Sequence, residues 1–143
     1  EGEGYPNVQP FHPPKDYPEC PNKDYSRHGN TVYNSVRNAL RSIELDQTNY
    51  NTSHWNPLKT VIKRGENVLI KPNLIAQSQR GSEVWEHVIT HGSVLRAVID
   101  YVFLALGGEG RIIIADAPQT DSKIDLIKRR MGIEAIQELY WNK

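Results

Sequence analysis

The sequence predicts an α/β fold, and three observations predict it. Two short apolar runs, "NVLIK" from Asn67 and "RIIIAD" from Arg111, have the continuous hydrophobic character of strands buried on both faces of a parallel sheet. Between them, "GSVLRAVIDYVFLAL" from Gly92 to Leu106 places Val94, Leu95, Val98, Ile99, Val102 and Phe103 on one broad helical face. Strand, helix, strand in that order is the pattern of a right-handed parallel crossover, so the expected core is a parallel-sheet, Rossmann-like unit.

Ahead of that core, residues 1–29 contain six prolines, interleaved with Tyr5, Phe11, Tyr17 and Tyr25. Each proline fixes φ and removes a backbone donor, which excludes helix and central strand. An extended arm is expected, held on a surface by its aromatic side chains because disordered segments are poor in them. Its His12, Cys20 and His28 have no compact metal-ligand spacing and read as loop residues.

The α/β domain is expected over residues 30–143. Asn30 is placed to cap a helix running to about Ile43, with Tyr33, Val36, Leu40 and Ile43 on a face that packs on the sheet. Leu45 to Gly65 is turn-rich, punctuated by Asn56-Pro57 and Arg64-Gly65. Gly107-Gly108 stops the crossover helix. After the second strand, Thr120, Asp121 or Ser122 caps a helix that turns Ile124, Ile127 and Met131 inward and stops at Gly132. A last helix carries Ile133, Ile136, Leu139 and Tyr140. Its amphipathic pattern runs to the end without a cap, which predicts a domain that is incomplete at the C-terminus.

Composition narrows the function classes. Seventeen Lys and Arg balance seventeen Asp and Glu, so no global field favours nucleic acid or an anionic membrane. The single Cys20 excludes an internal disulfide and any four-cysteine cluster. The apolar run from Val102 to Leu106 is far shorter than the ~20 residues a membrane span requires. With no signal-peptide layout, a cytoplasmic location is expected. "GGEG" at Gly107 to Gly110 follows a helix and precedes a strand, the reverse of the order that cradles a dinucleotide pyrophosphate, and reads as a helix stop.

In a parallel sheet, ligands bind beyond the carboxyl ends of the strands. Here those ends read Lys71-Pro72-Asn73 and Asp116-Ala117-Pro118, so Lys71, Asn73 and Asp116 are expected on one rim. Thr90, His91, Gly92 and Ser93 open the crossover helix, whose free N–H groups favour an anion. A cation, a carboxamide and a helix N-terminus together suit a phosphate or carboxylate. The expected ligand-binding residues are therefore Lys71, Asn73, Thr90, Gly92 and Ser93. His91 and Asp116 are the candidate catalytic residues, His91 because imidazole titrates near neutrality. Asp116 reads equally as a metal ligand, a partner for a ligand hydroxyl, or a turn cap; Thr90 and Ser93 read also as helix caps, and Lys71 as a plain ion pair with Asp116. No cofactor or metal is assigned by these residues. The link from Ala76 to His87, long and polar, is expected to be a mobile lid anchored by Trp85.

The ordered set "VLIKPNLI", "ITHGSVLRAVIDYV" and "GRIIIADAPQ", followed by a helix ending "RRMGI", resembles the bacterial and archaeal family known as domain of unknown function three-six-two, over roughly Val61 to Ile136. The upstream "FHPP", "NTVYNSVRNAL" and "NYNTSHWNPL" are similar to a subgroup associated with cell-surface polysaccharide gene clusters. The resemblance implies an α/β enzyme without a settled reaction. Some members carry ferredoxin-like cysteine segments, which this chain lacks, and many have proline where this chain has Gly92. Two functions follow as expectations. The first is a small-molecule enzyme domain binding an anionic, phosphorylated or sugar-linked ligand. The second is a non-catalytic binding or assembly module that docks a protein partner through the proline-rich arm.

Overall fold

Helix α2 (Gly92–Leu106) is the axis of the molecule: eleven of its fifteen residues are buried. The computed structural model describes residues 4–141. Around α2 stand α1 (Thr31–Ser42), a 3-10 turn at Gln47–Asn49, strands β1 (Asn67–Ile70) and β2 (Arg111–Ile114), and helices α3 (Ile124–Met131) and α4 (Ile133–Glu138). The local signals act as expected at most ends. Asn30 accepts from the Tyr33 N–H at 3.0 Å and so caps α1. Gly107 takes the left-handed conformation that ends α2, donating to Phe103 O and Leu104 O. Gly132 ends α3 in the same way.

β1 and β2 pair in parallel, with Leu69 opposite Ile113 and Ile70 opposite Ile114. The link from α2 into β2 is tight: a Cβ on Gly110 would lie 2.1 Å from Glu66 O, so only glycine admits the two strands side by side. The strands are not buried on both faces. Exposure alternates along each, and Leu69 and Ile113 are 62 % and 44 % exposed while Ile70, Ile112 and Ile114 join the core. The reason is that α2 covers one face of the sheet, and no described element covers the other.

Two cores flank α2. One joins Leu95 and Ile99 to Leu74, Ile89, Ile127, Met131 and Ile136; the other joins Ala97 and Tyr101 to Tyr33, Tyr17, Cys20 and Trp55. Three expectations change as a result. Helix α1 packs on α2 rather than on the sheet, and Ile43, expected on its inner face, is 51 % exposed. Among the described residues the proline-rich segment has no helix or strand, but it is more deeply set than an arm laid on a surface: Phe11, Tyr17, Glu19 and Cys20 are buried. Lys123, not Thr120, Asp121 or Ser122, occupies the cap position of α3, because the Ser122 hydroxyl donates instead to Ile75 O at 2.8 Å.

Both cores contain charge. The Asp100 carboxylate of α2 accepts from Tyr33 Oη at 2.7 Å and from Tyr140 Oη, and it forms an ion pair with Arg96, whose Nε lies 3.2 Å away and donates to Tyr140 Oη. Arg96 also donates to Pro10 O at 3.0 Å. On the other side, Arg37 meets Glu19 at 2.6 Å with Tyr101 Oη donating to the same carboxylate, and its guanidinium lies over the rings of Tyr17, Tyr50 and Trp55. Burial works against the Arg37 charge, but the Glu19 carboxylate outweighs it and raises the guanidine pKa. Cys20 sits 3.1 Å from Tyr33 Oη, and burial pushes its thiol up to about 12, so it is an unreactive core residue. Asp100→Ala, which leaves the Arg96 charge buried without its partner, is expected to destabilise by about 3–5 kcal/mol, whereas Tyr33→Phe costs about 1 kcal/mol. Urea unfolding followed by circular dichroism measures both, and equal small losses would show that Asp100 does not organise the interior.

Candidate functional site

At the carboxyl ends of the strands, the chain brings Lys71 and Asp116 together. Lys71 Nζ lies 2.5 Å from Asp116 Oδ1, with the lysine side chain 67 % exposed and the aspartate 6 %. The proline after each strand stops the ladder, and the backbone then folds back so that the Leu74 N–H donates to Asp116 Oδ2 at 2.6 Å. Hydrogen bonding to Lys71, followed by that to Leu74, holds the Asp116 carboxyl down at about 2. Asp116 is therefore held in its ionised form near neutral pH.

Asn73 and Thr90 also meet, but they bind each other. The Asn73 N–H donates to Thr90 Oγ1 and the Thr90 N–H to Asn73 O, both at 2.9 Å. The Asn73 side chain donates to Val88 O at 2.9 Å and accepts from the Ile75 N–H at 3.3 Å, so its carboxamide is used at both ends. These bonds clamp the two ends of the long link between β1 and α2.

His91, Gly92 and Ser93 are turned into the interior. His91 caps α2, its Nδ1 accepting from the Ser93 N–H at 3.2 Å, and it is 4 % exposed. An Nδ1 that accepts places the proton of the neutral ring on Nε2. The ring is stacked between Tyr5 at 4.3 Å and Trp85 at 5.3 Å, with Phe11 against it edge-on at 5.2 Å. Burial lowers the imidazole pKa, with Glu86 opposing. Gly92 serves close packing: a Cβ there would lie 2.0 Å from Met131 O and 2.6 Å from the Phe11 ring. Ser93 is fully buried beside His91. The start of α2 is thus covered by the chain's own aromatic residues.

The link expected to be a lid is fastened to α3. Gln77 Oε1 accepts from the Lys123 N–H at 3.0 Å, Gln77 O accepts from Arg130, and Arg130 also meets Glu83 at 3.0 Å. Trp85 is its anchor, but the ring is seated on His91 rather than on Lys71. Arg130 and Tyr5 therefore belong to the surroundings of the site although no spacing in the sequence singles them out; their roles come from contacts between distant segments. Among the described residues, no group of three or more His, Cys, Asp and Glu side chains is placed to hold a metal ion, and no helix is long and apolar enough to cross a membrane.

A family model described as Domain of unknown function (DUF362) matches residues 68–140, which take in β1 from Val68 onward, the rim, α2, β2, α3 and α4. Comparison with curated proteins and with solved structures finds no match.

Two titrations check this geometry. In a carbon-13 NMR titration, Asp116 is expected to titrate near about 2, and Lys71→Met to move it up toward the ordinary carboxylate value. Because the folded pKa is depressed, the contribution of Asp116 to stability is present above the unfolded value of about 3.9 and is lost as pH falls through the folded one. His91 likewise has a folded pKa below its unfolded value of about 6.5, so its neutral, capping form favours folding above that pH and less so below it. Replacing it by asparagine, which caps without titrating, is expected to flatten the dependence of Tm on pH below about 6.5. An unchanged slope in His91→Asn would assign that dependence to His12, which burial shifts in the same direction.

Proposed function

The chain belongs to the family described as Domain of unknown function (DUF362), and from its rim we propose a small-molecule enzyme domain that binds an anionic ligand at the carboxyl ends of its parallel strands. The observation that carries this reading is the unequal exposure of one ion pair. Lys71 stands 67 % exposed on an aspartate that is 6 % exposed and anchored by the Leu74 N–H. A surface pair of this kind adds little to stability. What it does well is hold an ammonium in one place with its remaining N–H groups toward solvent. An ammonium already positioned loses less conformational freedom when an oxyanion arrives. Phosphate and carboxylate groups, free or on a sugar, are the ligands that match it, and Asp116 serves as a positioning residue. A setting in cell-surface polysaccharide metabolism is part of the proposal and draws on the resemblance of the N-terminal region alone.

A second reading, a non-catalytic binding or assembly module, has one observation in its favour. Leu69 and Ile113 are register partners on the uncovered sheet face, and both are exposed. An apolar pair in that position is the kind of surface that another protein covers.

Thermal-shift measurements with inorganic phosphate, a sugar phosphate and a sugar nucleotide separate the two. At an anion concentration one hundredfold above Kd the expected stabilisation is about 2.7 kcal/mol, which for a domain of this size raises Tm by roughly 10 °C. Lys71→Ala is expected to remove most of that shift. An equal shift in Lys71→Ala, or none with any of the three anions, would sink the ligand reading.

A further inference from the structure

We infer that residues 4–8 form a strap which the neutral His91 ring holds closed over the start of α2, and that protonation of this ring releases it. The strap is weakly fastened. Among the described residues, the one hydrogen bond made by residues 4–8 is accepted by Val8 O from the Phe11 N–H at 3.0 Å, within the N-terminal segment itself. Between the strap and the start of α1 lies an open cavity of about 440 Å³, with Tyr5 and Asn7 on one side and Ser26, His28, Asn30 and Thr31 on the other. The side chain that ties the strap down is Tyr5, 38 % exposed, whose ring stacks on His91 at 4.3 Å with 12° between the planes.

The neutral ring suits this role and the imidazolium does not. Nδ1 accepts from the Ser93 N–H, whereas an imidazolium has two donors and no acceptor, so protonation removes the cap from α2. The charge also arises at the positive end of the helix, on a residue that is 4 % exposed, and a buried charge must reach water or a counterion. Glu86 on the link favours the charge. Helix α2 offers the Ser93 hydroxyl and, one turn on, Arg96, which is paired with Asp100. Helix α3 brings Arg130, 5.8 Å from the centre of the Trp85 ring. In the N-terminal segment, His12 follows Phe11 and His28 lines the cavity. Hydration then proceeds by displacing the least anchored of the three rings around His91. Phe11 is 2 % exposed in the core, and Trp85 belongs to a link whose ends are fixed by the Asn73–Thr90 and Gln77–Lys123 bonds. Tyr5 is the ring free to move, so acid opens the strap and turns the start of α2 into a surface that bears an imidazolium. The device uses neither Lys71 nor Asp116 and stands apart from the ligand reading of the rim.

Nitrogen-15 relaxation and carbon-13 imidazole shifts of the full 143-residue chain, followed through one pH titration, test this. The order parameters of the Tyr5 and Asn7 amides are expected to fall from about 0.85 in the neutral form to below about 0.6 in acid, with the midpoint of the His91 Cε1 titration. Each histidine reports its own midpoint, which separates His91 from His12 and His28. His91→Phe keeps a ring under Tyr5 and cannot titrate, so its strap is expected to stay ordered in acid, and loss of order there overturns the proposal. The wild-type midpoint decides alone if that variant does not fold. Order parameters that ignore the His91 midpoint, that follow His12 or His28, or that are already below about 0.6 at neutral pH overturn the proposal. A His91 that stays neutral over the whole range in which the chain is folded overturns it as well.

Discussion

The Asp100 carboxylate is the constraint on which the rest of the structure depends. A carboxylate inside a helix that is buried on nearly all sides is tolerated only if its oxygens are fully engaged, since removing the charge from water costs several kcal/mol. Asp100 meets that condition by recruiting one partner from each side of α2: Tyr33 from α1, Tyr140 from beyond α4, and Arg96 one turn earlier on α2 itself. Burial and the nearby Asp100 charge raise the pKa of both phenols, so they remain donors. Arg96 passes the connection on to Pro10 O, which fixes the proline-rich segment across the start of α2. Helix α1, the N-terminal segment and the C-terminal turn are in this way all referred to one side chain.

That arrangement explains why the N-terminal segment is interior. Proline denies it regular structure, so it cannot pair its backbone in a sheet, and it contributes side chains instead. Tyr17, Glu19 and Cys20 complete the core between α1 and α2, where Glu19 neutralises Arg37 and the rings of Tyr17, Tyr50 and Trp55 surround the guanidinium. Phe11 and Tyr5 close over His91 and Gly92 at the other end of the same helix. The same covering removes the α2 N-terminus from solvent and leaves the exposed ammonium of Lys71 as the cation of the strand-end rim. Polar groups gathered near a strand end are thus divided between two tasks. Asn73 and Thr90 clamp the link between β1 and α2, and Asp116 holds Lys71.

The sequence by itself determined the elements whose signals are local. Hydrophobic period placed α2 over Gly92–Leu106, Asn30 and Gly107 marked helix ends through their own backbone and side-chain chemistry, and the order strand, helix, strand required β1 and β2 to be parallel neighbours or near neighbours. Proline at the strand ends likewise set Lys71 and Asp116 at one rim, because it stops the ladder whatever surrounds it. Tertiary structure decided everything that depends on which distant segment arrives. "NVLI" reads the same whether one face of the sheet or both are covered, so the exposure of Leu69 was not legible. His91 reads as an acid–base candidate until Tyr5 and Trp85 enclose it and the Ser93 N–H claims its Nδ1. Gly92 reads as room for a ligand until the Met131 carbonyl occupies that room. The physical reason is common to all three: a side chain's type and local spacing fix what it is able to bind, while burial and partners supplied from far along the chain fix what it does bind.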